Sequence, residues 1–217
     1  AHVVLIGAGG LGSWIGLGLA LMGIKALTVI DPDHFDRTNA PRQLMFGPDI
    51  GVSKAHALAR NLQPHMTNPG SVRAIAAPFT RTLISPAGVS VLIVGIDNNR
   101  GRLEAATWGR VHAIPVVFAM LSRDGLRVQA FLQRPNLASL SCVLPDLEVD
   151  VAMPCAAASM ASCMLAASHG LQLTIAALSD DISVPTWRET SLDGTTERTG
   201  TPQARTSCPA CRGCART

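Results

Sequence analysis

The glycine-rich stretch near the start of the chain constrains its fold more than any other feature. An apolar run, VVLI, is followed at once by GAGGLG, then by a helix-length segment at residues 11–22, then by a second apolar run, ALTVI, that leads into Asp31. Short continuous apolar runs next to glycine turns read as buried strands. Residues 3–36 therefore spell strand, glycine turn, helix, strand and acid. In that setting Gly7, Gly9 and Gly12 have separate tasks: a tight turn, a backbone that lets phosphate approach, and close contact between helix and strand. The N–H groups at the helix start lack intrahelical partners and favour an anion. Asp31 follows Gly7 at about the distance expected of a carboxylate that accepts from ribose hydroxyls. These residues predict a nucleotide site without saying which nucleotide.

The same grammar continues along the chain. A helix beginning near residue 51 or 52 ends by 62, with Pro64 as its stop; a short strand follows at 72–76. A buried strand at 90–95 runs into IDNNRGR, a helix at 101–112 leads to another buried strand at 114–120, and then the pattern changes. LRVQAFL alternates as a half-buried antiparallel strand does. Residues 156–178 are rich in Ala, Met and Leu and read as one helix, with a break expected at Gly170. The fold class is α/β and Rossmann-like: a mostly parallel sheet with helices on both faces and a short antiparallel extension. Residues 1–184 form the nucleotide-binding unit, and 185–217 read as a polar linker and Cys-rich cap.

Composition narrows the function classes. An apolar fraction of 47% supports a real core, and charged residues make up only 15%. With a net charge of +3 and basic residues scattered singly, no stripe for nucleic acid is present. No stretch of about 18 uninterrupted apolar residues exists, so a membrane span is not expected. Residues 1–24 are hydrophobic but carry the glycine motif and lack a basic leader, so they do not read as a signal peptide. A cytoplasmic location fits this pattern, and in such a compartment thiols serve as ligands or reactive groups rather than as disulfides.

The segment DPDHFDRTNAPRQLMF is too polar for a regular element yet holds Asp31, Asp33, Asn39, Arg42 and Gln43. It reads as an active-site loop. Arg42 offers a planar fork and Lys54 a mobile point charge, and the two would flank a polyphosphate. The bland alternatives are a solvated face for the cations and turn capping for Asn39 and Gln43. Lys54 falls in the first turn of a helix, against the macrodipole, which asks for a functional reason. Asp97 follows the end of a buried parallel strand, where ligands collect in open α/β sheets. An acid there, facing phosphates, would hold Mg²⁺. A hydride-transferring dehydrogenase has no need of these three charges, so they favour ATP over NAD.

Taken together, GAGGLG, VIDPD, NAPRQ, GVSKA and IDNNRGR resemble, in order, the motifs of the ThiF-type adenylyltransferases, the superfamily that activates ubiquitin-like and sulfur-carrier proteins. The resemblance spans residues 3–180 and indicates a minimal single-domain member. It implies that Gly7, Gly9, Gly10 and Gly12 form the nucleotide loop and that Asp31 and Asp33 belong to the ribose end. It further implies that Asn39, Arg42, Gln43 and Lys54 serve the phosphates, that Asp97 binds Mg²⁺, and that Asn98 and Arg102 support its loop. The catalytic set is then Arg42, Lys54 and Asp97. The implied reaction is attack by the C-terminal carboxylate of a small β-grasp protein ending in Gly-Gly on the α-phosphorus of ATP. The implied assembly is a homodimer, in which an arginine ahead of the first strand reaches the neighbour's nucleotide; this sequence starts at that strand.

Many such proteins bind structural Zn²⁺ with two CxxC pairs. Here SLSC puts Ser139 where the first Cys would fall, leaving Cys142, while CPAC supplies Cys208 and Cys211, and Cys214 offers a replacement. Four thiolates satisfy a tetrahedral site; the alternative is a loose tail. Cys155 and Cys163 are the candidates for a thioester step, against plain burial for each. Other functional readings stay open: activation of a different carboxylate, on a tRNA nucleoside or a peptide, or a non-catalytic scaffold for a β-grasp protein.

Overall fold

The structure is a computed structural model and describes residues 1–66, 70–145, 147 and 158–211. Strand β1 (His2–Ile6), helix α1 (Gly10–Leu21) and strand β2 (Ala26–Ile30) form the opening unit; α2 (Lys54–Leu62) leads to β3 (Ser71–Ile75), and α3 (Asn99–Val111) joins β4 (Val91–Val94) to β5 (Val116–Leu121). Strand β6 (Arg127–Gln133), the short α4 (Leu140–Val143), the long α5 (Met160–Leu178), β7 (Trp187–Ser191) and β8 (Glu197–Gly200) follow. All eight strands join one sheet in the order β3-β2-β1-β4-β5-β6-β7-β8. Pairing is parallel from β3 through β5 and antiparallel from β5 to β8. The order reverses between β1 and its neighbours β2 and β4, which opens a crevice at their C-terminal ends.

The strands are apolar throughout because both faces are covered. Val3, Leu5, Leu27, Val29, Val91 and Ile93 pack under α1, α2 and α5. Their alternates Val4, Ile6, Ile30, Leu92 and Val94 pack under α3, with Trp108 fully buried. Two positions in α1 are open to neighbouring helices rather than to the sheet alone: the missing side chain of Gly16 leaves room for Leu62, and that of Gly18 for Leu171.

Helix α5 runs unbroken through Gly170, which sits over Ala119 and Ile15. The expected break does not occur because this close contact, not helix propensity, keeps the glycine in place. Its C-terminus is gripped by the buried Arg134 side chain, which donates to the Ala176 and Asp181 carbonyls; a cation suits that end of a helix. Among the described residues α5 is the one helix long and apolar enough to cross a membrane, and half of that stretch is buried inside the protein.

The stretch after residue 184 differs from the expected linker, since β7 and β8 extend the sheet. Their residues are polar because β8 is an exposed edge and β7 is only partly covered, so no apolar alternation marks them. Amide hydrogen exchange checks this: amides of β7 that pair with β6 should exchange at least about tenfold more slowly than those of the exposed turn at 193–195. Equal rates would mean that 187–191 is not a strand.

Candidate functional site

The crevice is laced together by backbone before any side chain enters. Gly7 N–H donates to the Ile30 carbonyl at 2.8 Å, and Gly95 N–H to that of Ile6 at 2.8 Å, tying the ends of β1, β2 and β4. Gly7 has φ of +98°, and a Cβ there would press on the Gly95 carbonyl and Ile96. A Cβ on Gly12 would overlap the Gly7 carbonyl. Gly9 is different. A Cβ there would meet nothing nearer than the Gln43 amide at 3.7 Å, so its backbone lies open to the crevice.

Asp31 fastens the loop that follows β2 to the glycine turn. Its Oδ2 accepts from Ala8 N–H at 2.7 Å and its Oδ1 from Asp33 N–H at 2.8 Å. Burial pushes the carboxyl pKa up, and those two N–H groups and the Lys54 charge pull it back. A carboxylate has about four acceptor positions, and these two bonds fill two of them.

Beyond Asp31 the polar loop is stitched to α2. His34 bridges Ser53, Phe35 N–H donates to the Val52 carbonyl, and Lys54 N–H to that of Asp33. The buried Asp49 accepts from Phe46 N–H, Arg60 and Asn61. These bonds hold Lys54 at the first position of α2, where its Nζ lies 3.0 Å from Asp33 Oδ2. Asn39 caps a turn, its Oδ1 accepting from Asp36 N–H. Trp14 Nε1 donates to the Arg42 carbonyl and Leu44 N–H to Ser13 Oγ, so the first turns of α1 carry the Arg42 segment. The Arg42 fork donates to the Thr38 carbonyl, and among the described residues no carboxylate lies within 4.0 Å of it. Gln43 is buried, and its Oε1 has no partner among the described residues.

At the end of β4, Asp97 is exposed and begins the turn into α3. Asn98 caps that helix, its Oδ1 accepting from Gly101 N–H at 2.7 Å. Arg102 reaches back one turn: Nε donates to the Ile96 carbonyl at 3.1 Å and Nη1 to Asn99 Oδ1 at 3.0 Å. Burial pushes the Arg102 pKa down, and the Asp97 carboxylate opposes that shift. Arg102 therefore positions the turn that presents Asp97.

One cavity of about 860 Å³ gathers these groups, within the size range of small-molecule sites. Every nucleotide-site residue named from the sequence lines it except Gly12, which lies beneath the turn. The cavity also extends to Leu121, Arg123, Val143, Leu144 and Leu147, an apolar mouth with one cation that the sequence did not reveal. Its only signal was position: these residues follow β5 and surround α4, on the side of the sheet's C-terminal edges.

A second cluster lies at α4. Cys142, Cys208 and Cys211 are buried, with all three sulfurs within 4.8 Å of one another. Burial works against ionisation of Cys142, yet Arg205 N–H, the neighbouring thiols and the Ser139 hydroxyl bring its pKa down to about 6. The donor set suits a thiophilic divalent ion. Cys214 lies outside the described residues, as does Cys155. Cys163 is fully buried, packed where a Cβ on Gly10 would come within 2.9 Å of its sulfur, and burial pushes its thiol pKa up. Such an environment suits a packing residue and not a thioester nucleophile.

A sequence model described as the ThiF family matches residues 1–212. The chain belongs to the ThiF family. It is 32% identical over 122 residues to tRNA threonylcarbamoyladenosine dehydratase of Escherichia coli, covering 54% of this chain and 45% of that one. It is 30% identical over 152 residues to the SAMP-activating enzyme E1 of Haloferax volcanii, covering 67% of this chain and 54% of the relative. The chain thus spans about half the length of these curated relatives. The solved structure of E. coli MccB with ATP superposes with a TM-score of 0.80 at 20% identity, over 98% of this chain and 67% of that one, a likeness of fold.

The ThiF glycine turn supplies a paired test. Gly12→Ala should destabilise the protein by roughly 2–4 kcal/mol, because backbone blocks the new methyl. Gly9→Ala, clear of neighbouring atoms but at φ −82° and ψ −149°, at the margin of what Ala adopts, should cost less stability than Gly12→Ala while weakening nucleotide binding about tenfold or more. Urea unfolding and nucleotide titration read the two effects. A Gly9→Ala protein that unfolds early yet binds nucleotide normally would reverse the assignment.

Proposed function

We propose that this ThiF-family chain is an ATP-dependent adenylyltransferase that activates the C-terminal carboxylate of a small β-grasp protein, of the ubiquitin-like or sulfur-carrier kind, as an acyl adenylate. The observation that carries this reading is a single cavity. The glycine turn and Asp31 lie at one end, Arg42, Lys54 and Asp97 line it, and it opens to the apolar mouth around α4. An extended peptide tail entering by the mouth would bring its carboxylate toward a nucleotide held at the turn.

The chemistry asks little of a general base. A terminal carboxyl group has a pKa of about 3.5 and is ionised at neutral pH. One carboxylate oxygen forms a bond to the α-phosphorus while the bond from that phosphorus to the bridging oxygen breaks, and pyrophosphate departs with the electron pair. The need is for alignment and for neutralising crowded negative charge. Arg42, without a carboxylate partner among the described residues, is suited to grip phosphate oxygens as a fork. Lys54 adds a second cation, and the outer part of the Asp33 carboxylate restrains it. Asp97 would hold Mg²⁺, which supplies further charge neutralisation when bound. Cys142, Cys208 and Cys211 would hold Zn²⁺ in a structural role. The reading includes a cytoplasmic homodimer.

A second reading has one observation in its favour, the relative named tRNA threonylcarbamoyladenosine dehydratase. There the carboxylate would belong to a tRNA nucleoside, and Arg123 at the mouth would meet the nucleic acid. The neighbouring apolar side chains favour a peptide.

ATP–pyrophosphate exchange decides between them. Exchange should depend on a β-grasp protein ending in Gly-Gly; dependence on tRNA instead would move the assignment to the second reading. Asp97→Ala and Arg42→Ala should each lower exchange by about 10²–10³-fold with the fold intact by circular dichroism. Undiminished magnesium-dependent exchange in Asp97→Ala would remove that residue from the metal site.

A further inference from the structure

The thiol cluster holds a fourth buried group. Ser139 is 1% exposed, at the start of α4, and its Oγ lies 3.4 Å from Cys208 Sγ and 3.3 Å from Cys211 Sγ. Cys142 Sγ is 3.3 Å from Cys211 Sγ. Around a tetrahedral zinc with bonds of about 2.3 Å to sulfur and 2.0 Å to oxygen, trigonometry gives edges of about 3.8 Å between sulfurs and 3.5 Å between sulfur and oxygen. The hydroxyl's distances to Cys208 and Cys211 are therefore close to such edges, whereas the Cys142–Cys211 pair would have to open by about 0.5 Å to take the metal. Its hydrogen-bond partners among the described residues are these thiols, so its one polar atom is committed to the cluster.

We infer that Ser139 completes a three-thiolate zinc site, its hydroxyl oxygen serving as fourth ligand beside Cys142, Cys208 and Cys211. This rests on the metal assignment made above and specifies its ligand set. Binding releases three thiol protons and leaves the hydroxyl protonated, so the centre carries one net negative charge rather than the two of a four-thiolate centre. A smaller charge costs less to bury. Two backbone N–H groups are aimed at the sulfurs to offset it: Arg205 N–H to Cys142 Sγ at 3.3 Å and Ser139 N–H to Cys211 Sγ at 3.4 Å. Second-shell donors of this kind hold thiolate ligands in place. A sulfur from elsewhere in the chain would have to displace a hydroxyl that is already seated.

X-ray absorption at the zinc edge of the zinc-loaded full chain tests the ligand set. Three sulfurs at about 2.3 Å and one oxygen at about 2.0 Å are expected. Ser139→Cys should convert this to four sulfurs and slow zinc loss to a chelator about tenfold or more; Cys214→Ser should leave the three-plus-one set unchanged. Four sulfurs in the unmodified chain that fall to three in Cys214→Ser would overturn the inference, as would a Ser139→Cys protein that stays at three. If neither the unmodified chain nor Ser139→Cys takes up stoichiometric zinc while both are folded, the metal assignment itself is lost, a result separable from a wrong fourth ligand.

Discussion

The site hangs on the Asp31 carboxylate. It stands where the sheet order reverses, and its two oxygens take one N–H from the glycine turn after β1 and one from the loop after β2. Without that clamp, the turn that would face phosphates and the loop that brings Arg42, Gln43 and Lys54 would keep only neighbouring backbone bonds and the Trp14 and Ser13 contacts from α1. Burial raises the pKa of Asp31, which means that the fold holds a carboxylate where charge is costly. The two N–H donors reduce that cost. A bound ribose would reduce it further, since its hydroxyls could fill the remaining acceptor positions.

The charges around this clamp are not equivalent. Lys54 is buried in a helix's first turn, where its charge opposes the macrodipole, and Asp33 relieves that opposition at 3.0 Å. The Asp33 side chain is itself 64% exposed, so the pair is screened and easily rearranged. Arg42 has backbone for company instead. The site thus keeps one restrained cation and one whose guanidinium is free of carboxylates among the described residues. That arrangement suits an anion that arrives with ligand rather than one built into the chain. The Gln43 side-chain oxygen, without a partner among the described residues, points the same way: a buried amide end left so is expensive unless something else fills the crevice.

Much of this could be read from residues alone, and the exceptions have physical causes. The glycine turn, Asp31, Lys54 and Asp97 could be picked out because each stands at a strand end or a helix start, and Arg42 because it falls in the polar segment between β2 and α2. Both buried faces of β1 and β4 were legible from their unbroken apolar runs. β7 and β8 were not, since partly exposed strands carry no alternation and were read as linker. Asp49 passed unnoticed because its partners Arg60 and Asn61 lie a helix away, and burial of a carboxylate leaves no local signature. The apolar mouth was hidden for a related reason. Leu121, Val143 and Leu144 look like ordinary core residues until the topology sets them along one opening.

That mouth is held by elements with little stability of their own. α4 is four residues long, far below the length at which a helix sustains itself. It is fixed instead from both ends. The buried Gln133 amide accepts from Leu140 N–H at 2.9 Å while donating to the Ala106 carbonyl at 2.8 Å, which ties the start of α4 to α3. Further along, Cys142 belongs to the sulfur cluster with the C-terminal segment, and the very next residues, Val143 and Leu144, line the cavity. The cluster and the mouth are therefore successive residues of one short turn. The C-terminal segment, remote in sequence from the glycine turn, is thereby packed one residue away from the cavity lining.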